Sequence, residues 1–135
     1  MGREVRFAYI GPKQWRLYDD TLPTLVCLAE AGWTHLLLSN HVPELSLLLQ
    51  HLQLDGFFAH VFNSAETGHE KPHPQAYQAV LETIGEAERI WMIGDSPVAD
   101  IAAAAAAGIP GILVRKHDAN ALYQCNDLSQ VPALL

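Results

Sequence analysis

The stretch Ile90-Trp91-Met92-Ile93-Gly94-Asp95-Ser96-Pro97-Val98-Ala99-Asp100 decides the fold. It opens on an unbroken apolar run, Ile90 to Ile93, the pattern of a strand buried on both faces of a parallel sheet. Gly94 breaks the run, and Asp95 and Ser96 stand where the chain turns into an alanine-rich segment, Val98 to Ala107, stopped by Gly108. Alanine is the best helix former, and its small side chain lets a helix lie close on a sheet. An aspartate directly after a buried strand is a hard oxygen ligand at the edge where open α/β sheets hold their ligands. The plainer reading is that Asp95 or Ser96 caps the helix. Capping leaves Asp100 unexplained.

Working outward, the same alternation repeats. Asp20 and Thr21 are N-cap candidates, with Leu22, Leu25, Val26 and Ala29 at helical spacing and Gly32 as the stop. Thr34 to Leu38 reads as a buried strand and Ser39-Asn40-His41 as the loop after it. Pro43 opens a second helix with Leu45, Leu48, Leu49 and Leu52 on one face, ended by Asp55-Gly56. Val61 to Ser64 reads as a weaker strand, and Glu66 to His73 as a polar loop that its prolines keep from being helical. Tyr77, Val80, Leu81 and Ile84 form the stripe of a third helix, and Ile112 to Val114 is a last strand. The tail from His117 follows no clear pattern. Alternating strands and helices predict a three-layer, Rossmann-like parallel sheet with helices on both faces.

The chain has 135 residues, half of them hydrophobic and 17% charged, a composition that supports one packed core and shows no repeat or interdomain linker. Its formal net charge of -7 argues against nucleic acid or an anionic membrane surface as a partner, since both require clustered Lys and Arg. The two cysteines, Cys27 and Cys125, lack metal-ligand spacing and read as small thiols of a reducing compartment. The start of the chain is charged and lacks an apolar signal-like segment, and the apolar run Ile101 to Ala107 is too short to span a bilayer, so a cytoplasmic location is expected.

Two further patterns carry chemistry. Ser39-Asn40 offers a hydroxyl and an amide at the end of a buried strand, donors suited to an anionic oxygen. Glu70-Lys71-Pro72 places a lysine in a loop, a point charge suited to phosphate. Taken singly, each has a plain reading: a strand-ending turn and a solvated surface lysine. His69 and His73 flank Lys71, but the intervening prolines argue against a metal site there. His41 reads as a loop histidine, and Trp15, Trp33 and Trp91 read as packing residues.

Ser-Asn after a strand, then Glu-Lys-Pro, then Gly-Asp-Ser-x-x-x-Asp, in this order, resembles the haloacid dehalogenase superfamily. The resemblance runs from about Trp15 to the C-terminus, with residues 1–14 of uncertain kind and residues 1–135 expected to form a single core domain with the family's cap missing or nearly so. It implies a phosphomonoester hydrolase in which an aspartate attacks phosphorus and water cleaves the aspartyl-phosphate. It further implies that Ser39, Asn40 and Lys71 grip the phosphoryl group, with Ser39 and Lys71 in the catalytic set. Asp95 would ligate Mg²⁺, and Asp100 would support the metal's water shell or Lys71 rather than ligate directly. A small phosphorylated molecule, or phosphate, is the implied partner. Dehalogenase chemistry is a lesser option within the same resemblance.

The family's first motif, a strand ending in Asp-x-Asp-Gly-x-Thr, does not occur here. Asp19-Asp20-Thr21 follows no buried strand and fits a helix start instead. Either the segment bearing the motif is absent from this chain, or Val5 to Gly11 is its decayed remnant, with Ala8 and Ile10 where aspartates belong. The expectations are therefore no turnover, Mg²⁺ held weakly or not at all, and a central gap in the sheet. Residues near 4–10 are expected to fill that gap, from the same chain or from a second copy, which makes a homodimer a further expectation. The alternative to an enzyme core is a degenerate, non-catalytic phosphate-binding or interaction module.

Overall fold

The computed structural model describes residues 2–5, 19–40, 45–85 and 89–135. β1 (Gly2–Val5), β2 (Thr34–Ser39), β3 (Phe58–Asn63), β4 (Met92–Gly94), β5 (Gly111–Val114) and β6 (Gln124–Cys125) form one sheet in the order β3-β2-β1-β4-β5-β6. Every neighbouring pair is parallel. This is the doubly wound order, in which connections leave the middle of the sheet in both directions.

Because side chains alternate across a strand, the sheet feeds two cores. Leu37 and Ile93 join Ile112 and Val114 on one face, where α1 (Thr21–Glu30) contributes Leu25 and Leu28 and α2 (Leu45–His51) contributes Leu45 and Leu49. Leu36, Leu38 and Met92 face the other side, where a further helix (Pro74–Ile84) packs Ala76, Tyr77 and Val80 beside Ala104. The three-layer expectation holds, and the described residues form no separate cap. Gly32 ends α1 at a φ of 92°, a conformation glycine adopts without steric cost.

Several boundaries differ from the expected ones. β3 begins at Phe58 rather than Val61, because Phe58 and His60 already pair with His35 and Leu36 of β2, and β4 begins at Met92 rather than Ile90, its first residue to pair with β1 and β5. Ser64–Thr67 is a short helix, α3, which takes the last residue of the expected strand Val61–Ser64 and the start of the expected loop, and the helix Pro74–Ile84 is accordingly α4. The expected Val98–Ala107 helix is a π-helical turn, Pro97–Ala102, running into a short α-helix, α5 (Ala103–Ala106). The tail, unplaced from sequence, adds β6 beside β5 and two 3₁₀ turns, Leu128–Gln130 and Pro132–Leu134. Leu128 and Val131 are buried against the first core. Pro43, His41 and Trp15 lie outside the described residues.

The central gap is filled from within the chain. Glu4 pairs with both Leu36 of β2 and Met92 of β4, and Val5 pairs with Ile93. The strand begins earlier than expected, at Gly2, and residues 6–10 of the expected segment lie outside the described residues. Arg3 and Glu4 are unusual residues for a central parallel strand, which normally reads apolar.

Candidate anion site at the carboxyl edge

Ser39, Asn40, Lys71 and Asp95 lie at the ends of strands or in the loops and turns between elements. Ser39 ends β2, Asn40 follows it, and Asp95 follows β4. Lys71 comes from the turn between α3 and α4, where the His73 amide donates to the Glu70 carbonyl at 2.8 Å. The Lys71–Pro72 peptide is cis.

Lys71 and Asp100 meet. The Lys71 ammonium lies 2.7 Å from Asp100 Oδ1, and both side chains are wholly shielded from solvent, at 0% exposure each. Asp100 Oδ2 accepts the Ser96 amide at 3.1 Å. Both carboxylate oxygens are thereby engaged. The close approach of Asp100 depends on Gly94, where a Cβ would overlap the Asp100 carboxylate.

The turn that carries Asp100 is held from two sides. Ser96 caps it, its hydroxyl oxygen accepting the Ala99 amide at 3.0 Å, so the plain capping reading of this serine is also correct. The Tyr77 hydroxyl, 2.7 Å from the Ala99 carbonyl and 3.3 Å from that of Asp100, takes up acceptors that an α-helix would use internally. The Ser96 carbonyl receives the amides of both Asp100 and Ile101. This sharing accounts for the π turn, a feature that recurs at functional sites. The sequence reads Tyr77 only as a stripe residue; its buried hydroxyl, which needs a partner, was the available signal.

Asn40 and Lys71 also meet. Asn40 Oδ1 accepts the Lys71 amide at 2.9 Å, and Asn40 Nδ2 donates to the Lys71 carbonyl at 3.0 Å. Ser39 is half-buried, and its hydroxyl makes only a long 3.5 Å contact to the Asn40 carbonyl. Asp95 is half-buried at the same edge.

A Mg²⁺ ion does not fit the described residues alone. Asp100 is committed to Lys71 and Ser96, which leaves Asp95 as the single carboxylate of the motif, and no cluster of three or more His, Cys, Asp or Glu residues able to hold a metal occurs among the described residues. His69 and His73 stack at 5.1 Å, and His73 serves as N-cap of α4 by accepting the Gln75 amide at 3.1 Å.

No substitute nucleophile stands out among the described residues. Asp19 is exposed. Asp20 does not cap α1 with its side chain; its carboxylate receives Arg115 at 2.5 Å and the Leu128 amide at 2.6 Å. Burial, and secondarily Asp127, push the Cys125 thiol up from its ordinary value, which disfavours the reactive thiolate. The chain that leaves central strand β1 reads Arg6-Phe7-Ala8-Tyr9-Ile10, without a carboxylate.

A doubly wound parallel sheet with a serine, a lysine and two aspartates near its carboxyl edge has the layout of a Rossmann-like α/β core. The chain belongs to the haloacid dehalogenase-like hydrolase family, which matches residues 1–108. Among relatives, it is 36% identical over 83 residues to the rhythmically expressed gene 2 protein of Drosophila melanogaster, covering 58% of this chain and 32% of that protein. It is 40% identical over 97 residues to a phosphoglycolate phosphatase of Aliivibrio fischeri, covering 68% of this chain and 41% of the relative. Among solved structures, the HAD-hydrolase YfnB of Bacillus subtilis, bound to magnesium, superposes with a TM-score of 0.80 at 26% identity, over 89% of this chain and 56% of that one. The chain thus spans less than half the length of these curated relatives. No helix among the described residues is long and apolar enough to cross a membrane.

Proposed function

We propose that this chain is a single core unit of a haloacid dehalogenase-type phosphatase for a small phosphomonoester, able to hold a phosphate group but not to turn it over alone. The observation that carries this reading is the convergence of Asn40, Lys71 and Asp100 beside Ser39, on loops from three parts of the sheet. Phosphoryl transfer depends on positioning and charge stabilisation, and these residues supply both. In the proposed site the Ser39 hydroxyl donates to a phosphate oxygen and the Lys71 ammonium neutralises its charge. Asp95 is the residue that would face Mg²⁺, with Asp100 acting behind Lys71. The phosphoglycolate phosphatase relatives support a phosphate ester as ligand class.

Absence of an aspartate nucleophile costs on the order of 10⁶ in turnover, by analogy with other covalent catalysts. Phosphate binding is expected to be weak, about millimolar or -4 kcal/mol at best. The shielding of the Lys71 ammonium by its pairing with Asp100 adds to this, because the pair must open toward the anion. Metal affinity is expected to be low, because among the described residues Asp95 is the one carboxylate of the motif left for a metal. A cytoplasmic, acidic protein that binds no nucleic acid is consistent with the net charge of -7. The homodimer expected from an open centre loses that ground, because β1 of the same chain takes the central position.

The test is hydrolysis of p-nitrophenyl phosphate by the purified chain with Mg²⁺, beside an Asp95→Asn control. The expected result is no turnover above the control. Mg²⁺-dependent turnover that disappears in Asp95→Asn would overturn the reading that the nucleophile is missing. The second reading, a degenerate binding or interaction module, is favoured by the closed Lys71–Asp100 pair. It predicts that adding, in trans, a segment bearing the family's Asp-x-Asp-Gly motif restores no activity.

A further inference from the structure

Lys71 belongs to no strand or helix, yet a phosphate-binding lysine has to be held to within a fraction of an ångström of its working place. Its ammonium is held by Asp100, but a side-chain ion pair fixes only the far end of a flexible stem. The near end needs a separate anchor. The structure provides one from 31 residues earlier in the chain: the Asn40 amide pairs with the Lys71 main chain through both its oxygen and its nitrogen, at 2.9 and 3.0 Å. Two such bonds on one residue fix its orientation as well as its place, as a pair of strand residues exchanging both bonds does. Asn40 is itself fixed because it directly follows β2, whose Ser39 is in register with Asn63 of β3.

We propose that Asn40 is a positioning residue, which anchors the Lys71 main chain and so acts on a bound anion through Lys71 rather than by touching it. The inference rests on the phosphate-holding role proposed above. Ser39, whose hydroxyl makes only a 3.5 Å contact, is then the direct partner from this loop. Asn40 retains one Nδ2 hydrogen beyond the Lys71 carbonyl. A direct role would use that hydrogen, and the experiment separates the two.

The full chain, ¹⁵N-labelled, is studied as Asn40→Ala, Asn40→Asp, Ser39→Ala and Lys71→Met, and as the Asn40→Ala/Lys71→Met double variant. Amide exchange at Lys71 and the Lys71 Nζ resonance are read by NMR without ligand, and inorganic phosphate is then titrated. Asn40→Ala is expected to speed Lys71 amide exchange about tenfold, the size of one lost hydrogen bond, and to move the Nζ resonance, while Ser39→Ala moves neither. It is expected to weaken phosphate binding about tenfold when Lys71 is present and to have no further effect in the Lys71→Met background, the mark of two residues acting as one. An equal loss in both backgrounds, or an unmoved Lys71 amide and Nζ, overturns the proposal. Should Lys71→Met fail to fold, Asn40→Asp decides, because it keeps the acceptor for the Lys71 amide. Exchange there intermediate between the unsubstituted chain and Asn40→Ala supports the anchor, and exchange equal to the unsubstituted chain in all variants overturns it. Absence of phosphate binding by the unsubstituted chain would instead sink the phosphate-holding role, with the two ligand-free readouts still deciding Asn40.

Discussion

Lys71 and Asp100 form an ion pair that is costly to break. Each removes a full charge from water, and each side chain is shielded completely. Such pairs add little net stability when compared with an apolar substitute, but removing one partner strands the other. Lys71→Met is therefore expected to cost about 3–5 kcal/mol in urea unfolding, because it removes the Lys71 counter-charge from a buried Asp100. Lys71→Met/Asp100→Asn, which removes the Asp100 charge as well, is expected to regain a substantial part. Equal midpoints for the single and double variants would show that Asp100 is not charged when alone, or not buried. Both residues are legible as chemistry in the local motifs Glu70-Lys71-Pro72 and Gly94 to Asp100. Their contact is not, because 29 residues separate them. The same applies to Gly94, whose missing Cβ is what admits Asp100.

Among the elements, β1 is the one whose sequence argues least for its position. It joins β2 to β4 at the centre of the sheet through backbone pairing at Glu4 and Val5. A parallel sheet has no tolerance for an open centre, since unpaired amides and carbonyls would then be buried on both sides. The demand for pairing thus overrides the polar character of Arg3 and Glu4. Glu4→Pro removes an amide from this junction and is expected to cost about 1–3 kcal/mol, with amide exchange quickening at Leu36 and Met92. Unchanged exchange at those residues would mean that the segment does not complete the sheet. The helices behave differently. α1 and α4 were readable from the spacing of Leu25 and Leu28, and of Tyr77 and Val80, because one buried stripe is a local property. The π turn before α5 was not, because it arises from Tyr77 reaching across from α4.

For the molecule taken together, Asp20 joins regions that are distant in sequence. One carboxylate oxygen holds Arg115, which leaves β5 at a φ of 65°, and the other holds the Leu128 amide at the start of the 3₁₀ turn Leu128–Gln130. A helix start, the end of an edge-side strand and the C-terminal turns are tied at one residue. Each charge-assisted bond contributes about 1.5–3 kcal/mol before solvent screening, and this cluster is partly exposed. Asp20→Ala is accordingly expected to cost about 2 kcal/mol and to speed exchange of the Leu128 and Val131 amides ahead of the rest of the sheet. Uniform loss of protection across the whole chain would show instead that the tail is no separate unit.

The sequence was enough for the layered α/β architecture, the family and the residues with chemistry to offer: Ser39, Asn40, Lys71, Asp95 and Asp100. These are written in short-range patterns, the period of apolar residues and the turns that follow strands. It was also enough to show that the Asp-x-Asp-Gly motif is missing. Only the tertiary structure decided how these residues divide their work. Asn40 faces the Lys71 main chain, Asp100 faces the Lys71 ammonium, Asp20 serves the tail, and Gly2–Val5 completes the sheet. Each of these depends on which loops a parallel sheet brings together at one edge, and that juxtaposition comes from strand order, a long-range property that no local pattern records.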